Sequence, residues 1–330
     1  METLELSQTG RVVIARYADP PSNFVTAALI RDLDLLTQAV EADPSVGAVV
    51  LTGGVDGRFL GHAEPTALRD TSAMAPRLPA PLLQIGVRAL DLVLRLPGVA
   101  TAAERFGGAA GVGAVWAHRW RQTVLRMNHS GAVYLSAING PALGGGFELA
   151  LACDLRCAAD DARIVLGNIE ILAGLSTGGG ASQRLARMLG TARTLDLLLD
   201  GATLTVQQAL QAGLVEAVVP PAELLEYTCA TAARLATRPR TAVRAIKHSV
   251  YFGASQPLSQ GLRTEAAEFL GAASSVTAHR RLTALVDDVA TLGDTPFLAR
   301  PQSWRDGTRV GRKYAVPEPD HGAAPLPTPS

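Results

Sequence analysis

Three consecutive glycines, Gly144, Gly145 and Gly146, stand directly before an apolar run that contains Glu148. Glycine allows a ligand to come close to the backbone, and the first turn of a helix presents unpaired amides at the positive end of the helix dipole. A helix that begins here could therefore bind an anion or stabilise a negative charge that develops during a reaction. Tight packing of a helix against a sheet requires equally small residues, so the glycines alone leave both interpretations open.

Two glutamates with apolar neighbours suggest acid/base chemistry. Glu148 is flanked by Phe147 and Leu149, and the run around it is apolar on nearly every side, as in buried helices. A glutamate in a first helical turn can simply complement the dipole, but a buried carboxylate is costly without a specific use. Glu170 has a similar apolar setting and is followed by glycines at 178–180. The two carboxylates are therefore a candidate acid/base pair.

Alternating strands and helices must position these residues. Buried strands are predicted for RVVIARY, VGAVVLTGG, AVYLSAING and RIVLGN. An amphipathic helix is predicted over residues 26–41, and further helices over GFELALACD and GGGASQRLARMLG. This recurrence of strand, turn and helix favours an α/β layer structure, in which ligands tend to bind where strand carboxyl ends meet helix amino ends.

The sequence predicts three consecutive regions, the first of which contains an insertion. We expect a core over residues 1–200, a helical region over 201–295 and an extended or disordered, proline-rich tail over 296–330. An inserted apolar helical segment, at about residues 74–115, interrupts the core. Within it, the apolar spacing over 82–96 predicts a mostly buried helix, and the glycine–alanine run over 107–114 predicts a flexible hinge or loop.

Composition narrows the class of protein. The 30 basic and 30 acidic residues balance to a net charge of zero, which argues against partners such as nucleic acid or an acidic membrane surface. The three cysteines have neither metal-binding spacing nor an even disulfide framework, so we expect a reducing cytoplasm and no metal. No signal peptide and no membrane-spanning apolar stretch are visible in the sequence. We therefore expect a soluble, cytoplasmic protein.

Several segments resemble the crotonase, or enoyl-CoA hydratase/isomerase, superfamily. They are NGPALGGGFELALACDLRCAADDARIVLGNIEILAGLSTGGGASQRLARMLG, LLLDGATLTVQQALQAGLVEAVVP, and the upstream VGAVVLTGG and RFLGHAEP. The resemblance covers most of residues 10–255. It implies an α/β fold in which a spiral of repeated ββα turns is followed by a helical C-terminal region that drives trimerisation, so the expected assembly is a homotrimer or hexamer.

The same resemblance implies a substrate and a mechanism. The substrate would be an acyl-CoA thioester, with coenzyme A as part of the substrate and no separate cofactor. The thioester oxygen would bind the backbone amides of Ala63 and Gly145, which form an oxyanion hole. Glu148 and Glu170 match the two glutamates of the hydratase branch, which add water to a trans-2-enoyl-CoA. The isomerase branch usually keeps only the second glutamate.

Further residues are assigned by their place in the motifs. The resemblance predicts substrate or coenzyme A contacts for Gly61, His62, Glu64, Thr66, Gly144 and Gly178, the last of which would help to shape the water site. His62 replaces a glycine of the family pattern, although histidine tolerates unusual backbone angles better than most residues. It could be an added acid/base group or a structural, solvent-facing one. Pro65 is a further departure, in the loop that contacts the adenine half of coenzyme A in the family.

The sequence motifs are also compatible with other functions. Another crotonase activity, such as double-bond isomerisation, acyl-CoA hydrolysis or decarboxylation, uses the same oxyanion hole. A protein that binds acyl-CoA as a scaffold without turnover would also keep most of these motifs. For the insertion, one hypothesis is that it caps or enlarges the acyl pocket, and the other is that its apolar helix packs between subunits.

Overall fold

A computed structural model describes residues 1–74 and 76–311 of the protein, which centres on a six-stranded sheet. The strands are β1 (Leu4–Thr9), β2 (Val12–Tyr17), β3 (Ala48–Gly53), β4 (Val133–Ile138), β5 (Ala142–Leu143), β6 (Leu155–Ala159), β7 (Val165–Gly167), β8 (Thr203–Thr205) and β9 (Ala217–Val219). The large sheet has the order β1-β2-β3-β4-β6-β9, with β1 antiparallel to β2 and the other pairs parallel. A small sheet contains β5, β7 and β8.

Helices cover the sheet and form the C-terminal region. They are α1 (Ala27–Ala42), α2 (Pro65–Ala73), α3 (Ala80–Val93), α4 (Val99–Phe106), α5 (Gly108–His129), α6 (Gly145–Ala152), α7 (Ala181–Leu189), α8 (Thr191–Asp200), α9 (Val206–Gln211), α10 (Leu224–Ala236), α11 (Arg240–Tyr251), α12 (Leu258–Ala273), α13 (Val276–Leu292), α14 (Pro296–Ala299), α15 (Pro301–Arg305) and α16 (Thr308–Gly311). The α/β class predicted from the sequence is thus confirmed. Within the described residues, none of these helices combines the length and the apolar character needed to span a lipid bilayer.

The core lies where the parallel strands meet helices on both sides. Every residue of β4 is buried, which is typical of a parallel strand covered on both faces. The predicted helix at residues 26–41 is α1, and its cap is Thr26, whose hydroxyl oxygen accepts a hydrogen bond from the amide of Leu29 at 3.2 Å. Such a cap satisfies one of the unpaired amides at the helix start.

A buried ion pair joins the helical region to the core. The Lys247 ammonium on α11 donates to the Asp154 carboxylate at 2.7 Å and to the backbone carbonyls of Met127 and Ala132. The hydroxyl of Tyr251 donates to the other Asp154 oxygen at 2.9 Å. Because both charges have several hydrogen-bond partners, their burial is compensated.

The helix predicted over 82–96 forms as α3, but the prediction that it is mostly buried is wrong. Leu82, Ile85 and Leu92 are 52, 62 and 67% exposed. The helix is attached by polar contacts instead, since the Asp91 carboxylate accepts hydrogen bonds from the His118 ring at 2.7 Å and from Arg121 at 2.5 Å. Apolar spacing therefore identified the helix without identifying what covers it.

The prediction of a flexible hinge or loop over 107–114 is also wrong, because α5 begins at Gly108. A Cβ atom on Gly111 would overlap the Ala103 carbonyl oxygen, and one on Gly113 would lie 3.0 Å from the Thr71 side chain. The glycines thus allow α5 to pack closely against α4 and α2. They serve contact between helices, not flexibility.

The tail expected over 296–330 begins with helices. Residues 296–311 form α14, α15 and α16, and Asp288 on α13 accepts hydrogen bonds from Trp304 at 3.1 Å and from Arg309 at 2.6 Å. Proline stands in the first turn of α14 and of α15, where its missing amide is no loss. The prediction of an extended tail is wrong for these residues, and residues 312–330 lie outside the described part of the chain.

Candidate active site

Two backbone segments run side by side ahead of α6. Leu60 and Ala142 form a parallel bridge, and the amide of Gly146 donates to the carbonyl of Gly61 at 3.0 Å. A Cβ atom on Gly146 would overlap the Leu60 carbonyl oxygen, so any side chain would push the segments apart. Close packing, one of the two interpretations of the glycines, therefore explains Gly146.

Ala63 and Gly145 both lie next to Val25. Val25 forms a parallel bridge with Ala63, and a Cβ atom on Gly145 would be 3.2 Å from a methyl group of Val25. Across residues 1–74 and 76–311, neither the Ala63 amide nor the Gly145 amide donates to a protein acceptor. Two unpaired amides on adjacent segments, one of them at a helix start, form an arrangement that can bind a single oxygen atom.

Gly144 makes the turn into α6. Its φ of 51° lies in the left-handed region, which strongly favours glycine. A Cβ atom there would be 3.1 Å from the His62 Cβ and 3.5 Å from the Glu170 carboxylate. Gly144 therefore brings three predicted site residues together at one turn.

Glu148 is held at the amino end of α7. Its side chain is buried, and its Oε1 atom accepts hydrogen bonds from the amides of Gly179 at 2.7 Å and Ala181 at 3.2 Å. Burial raises the pKa of Glu148 to about 7, the negative charge of Glu170 adds to the increase, and the two amides and Arg184 oppose it. A carboxyl group with this pKa can both accept and release a proton near neutral pH.

Glu170 begins a 3₁₀ turn, Glu170–Ala173, that follows β7. Asn168 donates to its Oε1 atom at 3.3 Å. Its Oε2 atom is buried and has no hydrogen-bond partner among the residues that the structure describes. The two glutamates are near enough for the charge of Glu170 to affect the pKa of Glu148, as expected for an acid/base pair.

The side chain of His62 folds back onto the protein. Its Nδ1 atom donates to the Ala63 carbonyl at 2.8 Å, and its ring centroid is 4.9 Å from that of Phe24. In the described residues, Asn23 is the one non-glycine residue with a positive φ, so His62 needs no unusual backbone angle. Of the two roles considered for His62, the geometry favours the structural one.

Glu64 and Thr66 lie at the start of α2. The Glu64 carboxylate accepts from the amides of Thr66 at 3.0 Å and Ala67 at 2.6 Å, so it caps the helix. Hydrogen bonds from these two amides, that of Ala67 first, lower the pKa of the Glu64 carboxyl. Pro65 occupies the first turn, which tolerates proline. The cap accounts for Glu64 without a ligand, and Thr66 is exposed beside it.

The structure brings Gly179, rather than Gly178, to the Glu148 carboxylate. A Cβ atom on Gly178 would meet nothing within 4 Å, whereas one on Gly179 would overlap both Glu148 and the indole nitrogen of Trp120. Sequence reasoning did not single out Gly179, Asn168 or Trp120. The neighbouring glycines were a signal for Gly179, but Trp120 belongs to α5, far from either motif along the chain.

Fold and site together define an α/β protein of the crotonase fold, with paired amides at a glycine turn and two carboxyl groups beside them. Residues 107–285, more than half of the chain, match the family model described as enoyl-CoA hydratase/isomerase. The chain therefore belongs to the enoyl-CoA hydratase/isomerase family.

Individual relatives agree with this assignment. A probable enoyl-CoA hydratase of Rhizobium meliloti (strain 1021) is 31% identical over 265 residues, which cover 80% of this chain and 87% of the relative. A fatty acid oxidation complex subunit alpha of Shewanella frigidimarina (strain NCIMB 400) is 46% identical over 115 residues, or 35% of this chain and 16% of that protein. The crystal structure of an enoyl-CoA hydratase from Bacillus anthracis has a TM-score of 0.67 at 25% identity, covering 87% of this chain and 96% of that one.

Proposed function

We propose that the protein is an enoyl-CoA hydratase, which adds water across the 2,3 double bond of a trans-2-enoyl-CoA. The observation that carries this proposal is the pair Glu148 and Glu170, two coupled carboxyl groups beside the unpaired amides. The names of the relatives support it, and a role in fatty acid oxidation or related acyl-CoA metabolism would accord with the Shewanella protein.

In the proposed mechanism, the thioester oxygen accepts hydrogen bonds from the amides of Ala63 and Gly145. When water adds at the β carbon, negative charge moves onto this oxygen to give an enolate. Both amides are fixed before the reaction, so they stabilise the charge without reorganisation. Loss of one such donor typically slows a reaction by roughly a hundredfold to a thousandfold.

The two glutamates supply the proton transfers. One carboxylate takes a proton from water as the oxygen bonds to the β carbon, and the other carboxyl group delivers a proton to the α carbon. Because Glu148 and Glu170 interact, their protons are released in steps that belong to the pair. The mechanism uses this chain's own residues and no group other than the coenzyme A of the substrate.

We also propose that the helical C-terminal region assembles the protein into a trimer or hexamer. Exposed apolar side chains on α12 and α13 support this: Leu258, Leu262, Phe269, Leu270, Val276, Leu282 and Val286. Clusters of this kind are typical of surfaces that another subunit covers. Light scattering coupled to gel filtration gives the mass, and a monomeric mass at micromolar concentration would contradict the proposal.

The hydratase proposal is tested with crotonyl-CoA and longer trans-2-enoyl-CoAs. We expect the absorbance of the conjugated thioester to fall and the 3-hydroxyacyl-CoA to appear in the mass spectrum. Conversion to a 3-enoyl-CoA, or to free coenzyme A, would instead identify an isomerase or a hydrolase. Binding of acyl-CoA without any conversion would identify the scaffold.

A further inference from the structure

Trp120 on α5 is a buried donor that lacks an acceptor. Its side chain is 6% exposed, and its indole nitrogen has no hydrogen-bond partner in the described part of the chain. A buried indole N–H usually finds a partner, because an unpaired donor costs free energy. Its position near the Glu148 carboxylate is therefore informative.

The indole nitrogen and the Glu148 carboxylate meet above Gly179. A Cβ atom on Gly179 would overlap both Trp120 Nε1 and Glu148 Oε2. The other carboxylate oxygen, Oε1, is held by two backbone amides, whereas Oε2 accepts no hydrogen bond from residues 1–74 or 76–311. An unpaired donor and an unpaired acceptor thus lie close to the same point beside Gly179 without bonding to each other.

The neighbours of Trp120 fix its direction. Arg119 pairs with Glu104 on α4, and Arg121 pairs with Asp91 on α3. These contacts tie α5 to the inserted helices. Farther along α5, the side chain of Asn128 donates to the carbonyl of Ala152 on α6 at 3.0 Å. Helix α5 is therefore held on both sides, with Trp120 directed towards α6 and α7.

We propose that Trp120 is a further catalytic residue, whose indole N–H donates a hydrogen bond to the water that Glu148 Oε2 holds for addition to the enoyl-CoA. This inference rests on the proposed hydratase function. An oxygen atom between the two groups would satisfy both. Indole only donates, so it occupies one lone pair of the water. The water gives one proton to Glu148, and its second lone pair forms the bond to the β carbon.

Kinetics of W120F test the role, and W116F is the matched control. Trp116 lies one turn earlier on α5 and packs against the core. We expect W120F to lower kcat for hydration roughly tenfold to a hundredfold, the effect of losing one hydrogen bond to a reacting group, with KM nearly unchanged. The exchange of the α protons of butyryl-CoA with D₂O does not require the water that adds to the β carbon. We therefore expect W120F to catalyse this exchange at nearly the wild-type rate. Equal loss of hydration and exchange, or an equal effect of W116F, would overturn the proposal.

Nuclear magnetic resonance tests the same contact without turnover. The chain has three tryptophans, Trp116, Trp120 and Trp304, and each gives one indole ¹⁵N–H signal. The signal that is missing from the spectrum of W120F belongs to Trp120. We expect the Trp120 signal to shift with pH as Glu148 titrates, and the shift to disappear in E148Q.

The charged groups that affect the pKa of Glu148 are Glu170 and Arg184. The same pH titration of the Trp120 signal is therefore recorded for E170Q, which should move the midpoint of the titration without removing it. The inference would be overturned if the Trp120 chemical shift did not change with pH, or if it changed with pH in E148Q as it does in the wild type. A wild-type protein that hydrates no enoyl-CoA would instead refute the hydratase proposal, whatever this signal does.

Discussion

The segment around α6 and the inserted helices α3 and α4 are both rich in apolar residues, yet they are built in opposite ways. Around α6, glycines let backbones touch, and the carboxyl group of Glu148 is buried among them. In the insertion, leucines and isoleucine face outward, while Asp91 and Glu104 attach the helices to α5 through ion pairs. Among the residues that the structure describes, the hydrogen bonds and ion pairs between residues 76–107 and the rest of the chain are made with α5.

This difference separates two kinds of evidence in a sequence. A carboxylate in an apolar run beside glycines indicates a site, because burial of charge needs a use. An apolar stripe indicates a helix, but the surface that covers the stripe is not encoded in its spacing.

Glu148→Gln should abolish most of the activity. Glutamine keeps the shape of the side chain but cannot take a proton, so we expect hydration to fall by roughly a hundredfold to ten-thousandfold. The rate is measured by the loss of the conjugated thioester. Glu226→Gln, at an exposed position on α10, is the control, and hydration at near wild-type rate by E148Q would contradict the assignment.

Gly179→Ala should slow hydration by roughly a hundredfold, because its Cβ would displace the Glu148 carboxylate from its working position. Gly178→Ala is the matched control, since its Cβ would enter open space. Neither glycine has a positive φ, so the comparison isolates the steric effect. Equal rates for the two variants would show that the close contact at Gly179 does not matter for the chemistry.

The raised pKa of Glu148 predicts a dependence of stability on pH. The folded protein binds the proton of Glu148 more tightly than the unfolded chain does. The contribution of this proton to the free energy of unfolding is therefore fully present below the ordinary pKa of 4.5, and it is lost as the pH rises through about 7. At pH 8, E148Q should exceed the wild type in free energy of unfolding by up to about 3 kcal/mol. Urea titrations at pH 5 and pH 8 measure this gap, and a gap that does not shrink at pH 5 would argue against the shift.

Removing residues 78–112 should leave the preference for acyl chain length unchanged. The polar contacts of the inserted helices end on α5, and none joins them to Ala63, Gly145, Glu148 or Glu170 within the described residues. Relative rates on short and long enoyl-CoAs measure the preference, and light scattering shows whether assembly changes. A shifted preference would favour the hypothesis that the insertion caps the acyl pocket.

Local patterns predicted more of the site than of its surroundings. Glycine turns and charged residues in apolar runs lie within a few residues of one another, so Gly145, Glu148 and Glu170 could be proposed from sequence. Trp120 could not, because its place depends on how α5 packs against α6 and α7. The exposure of α3 and the short helices at 296–311 were missed for the same reason, since contacts between distant segments determine them.

The Lys247–Asp154 pair joins two segments that lie far apart along the chain. Asp154 stands two residues after α6, and its ammonium partner arrives from α11, more than ninety positions later along the chain. Without that partner, the Asp154 carboxylate would keep its hydrogen bonds from the Tyr134 amide and the Tyr251 hydroxyl. It would lose the positive charge that pairs with it at the base of the helix that carries Glu148. During synthesis, this ion pair at the base of α6 can therefore form only after the ribosome has delivered most of the polypeptide.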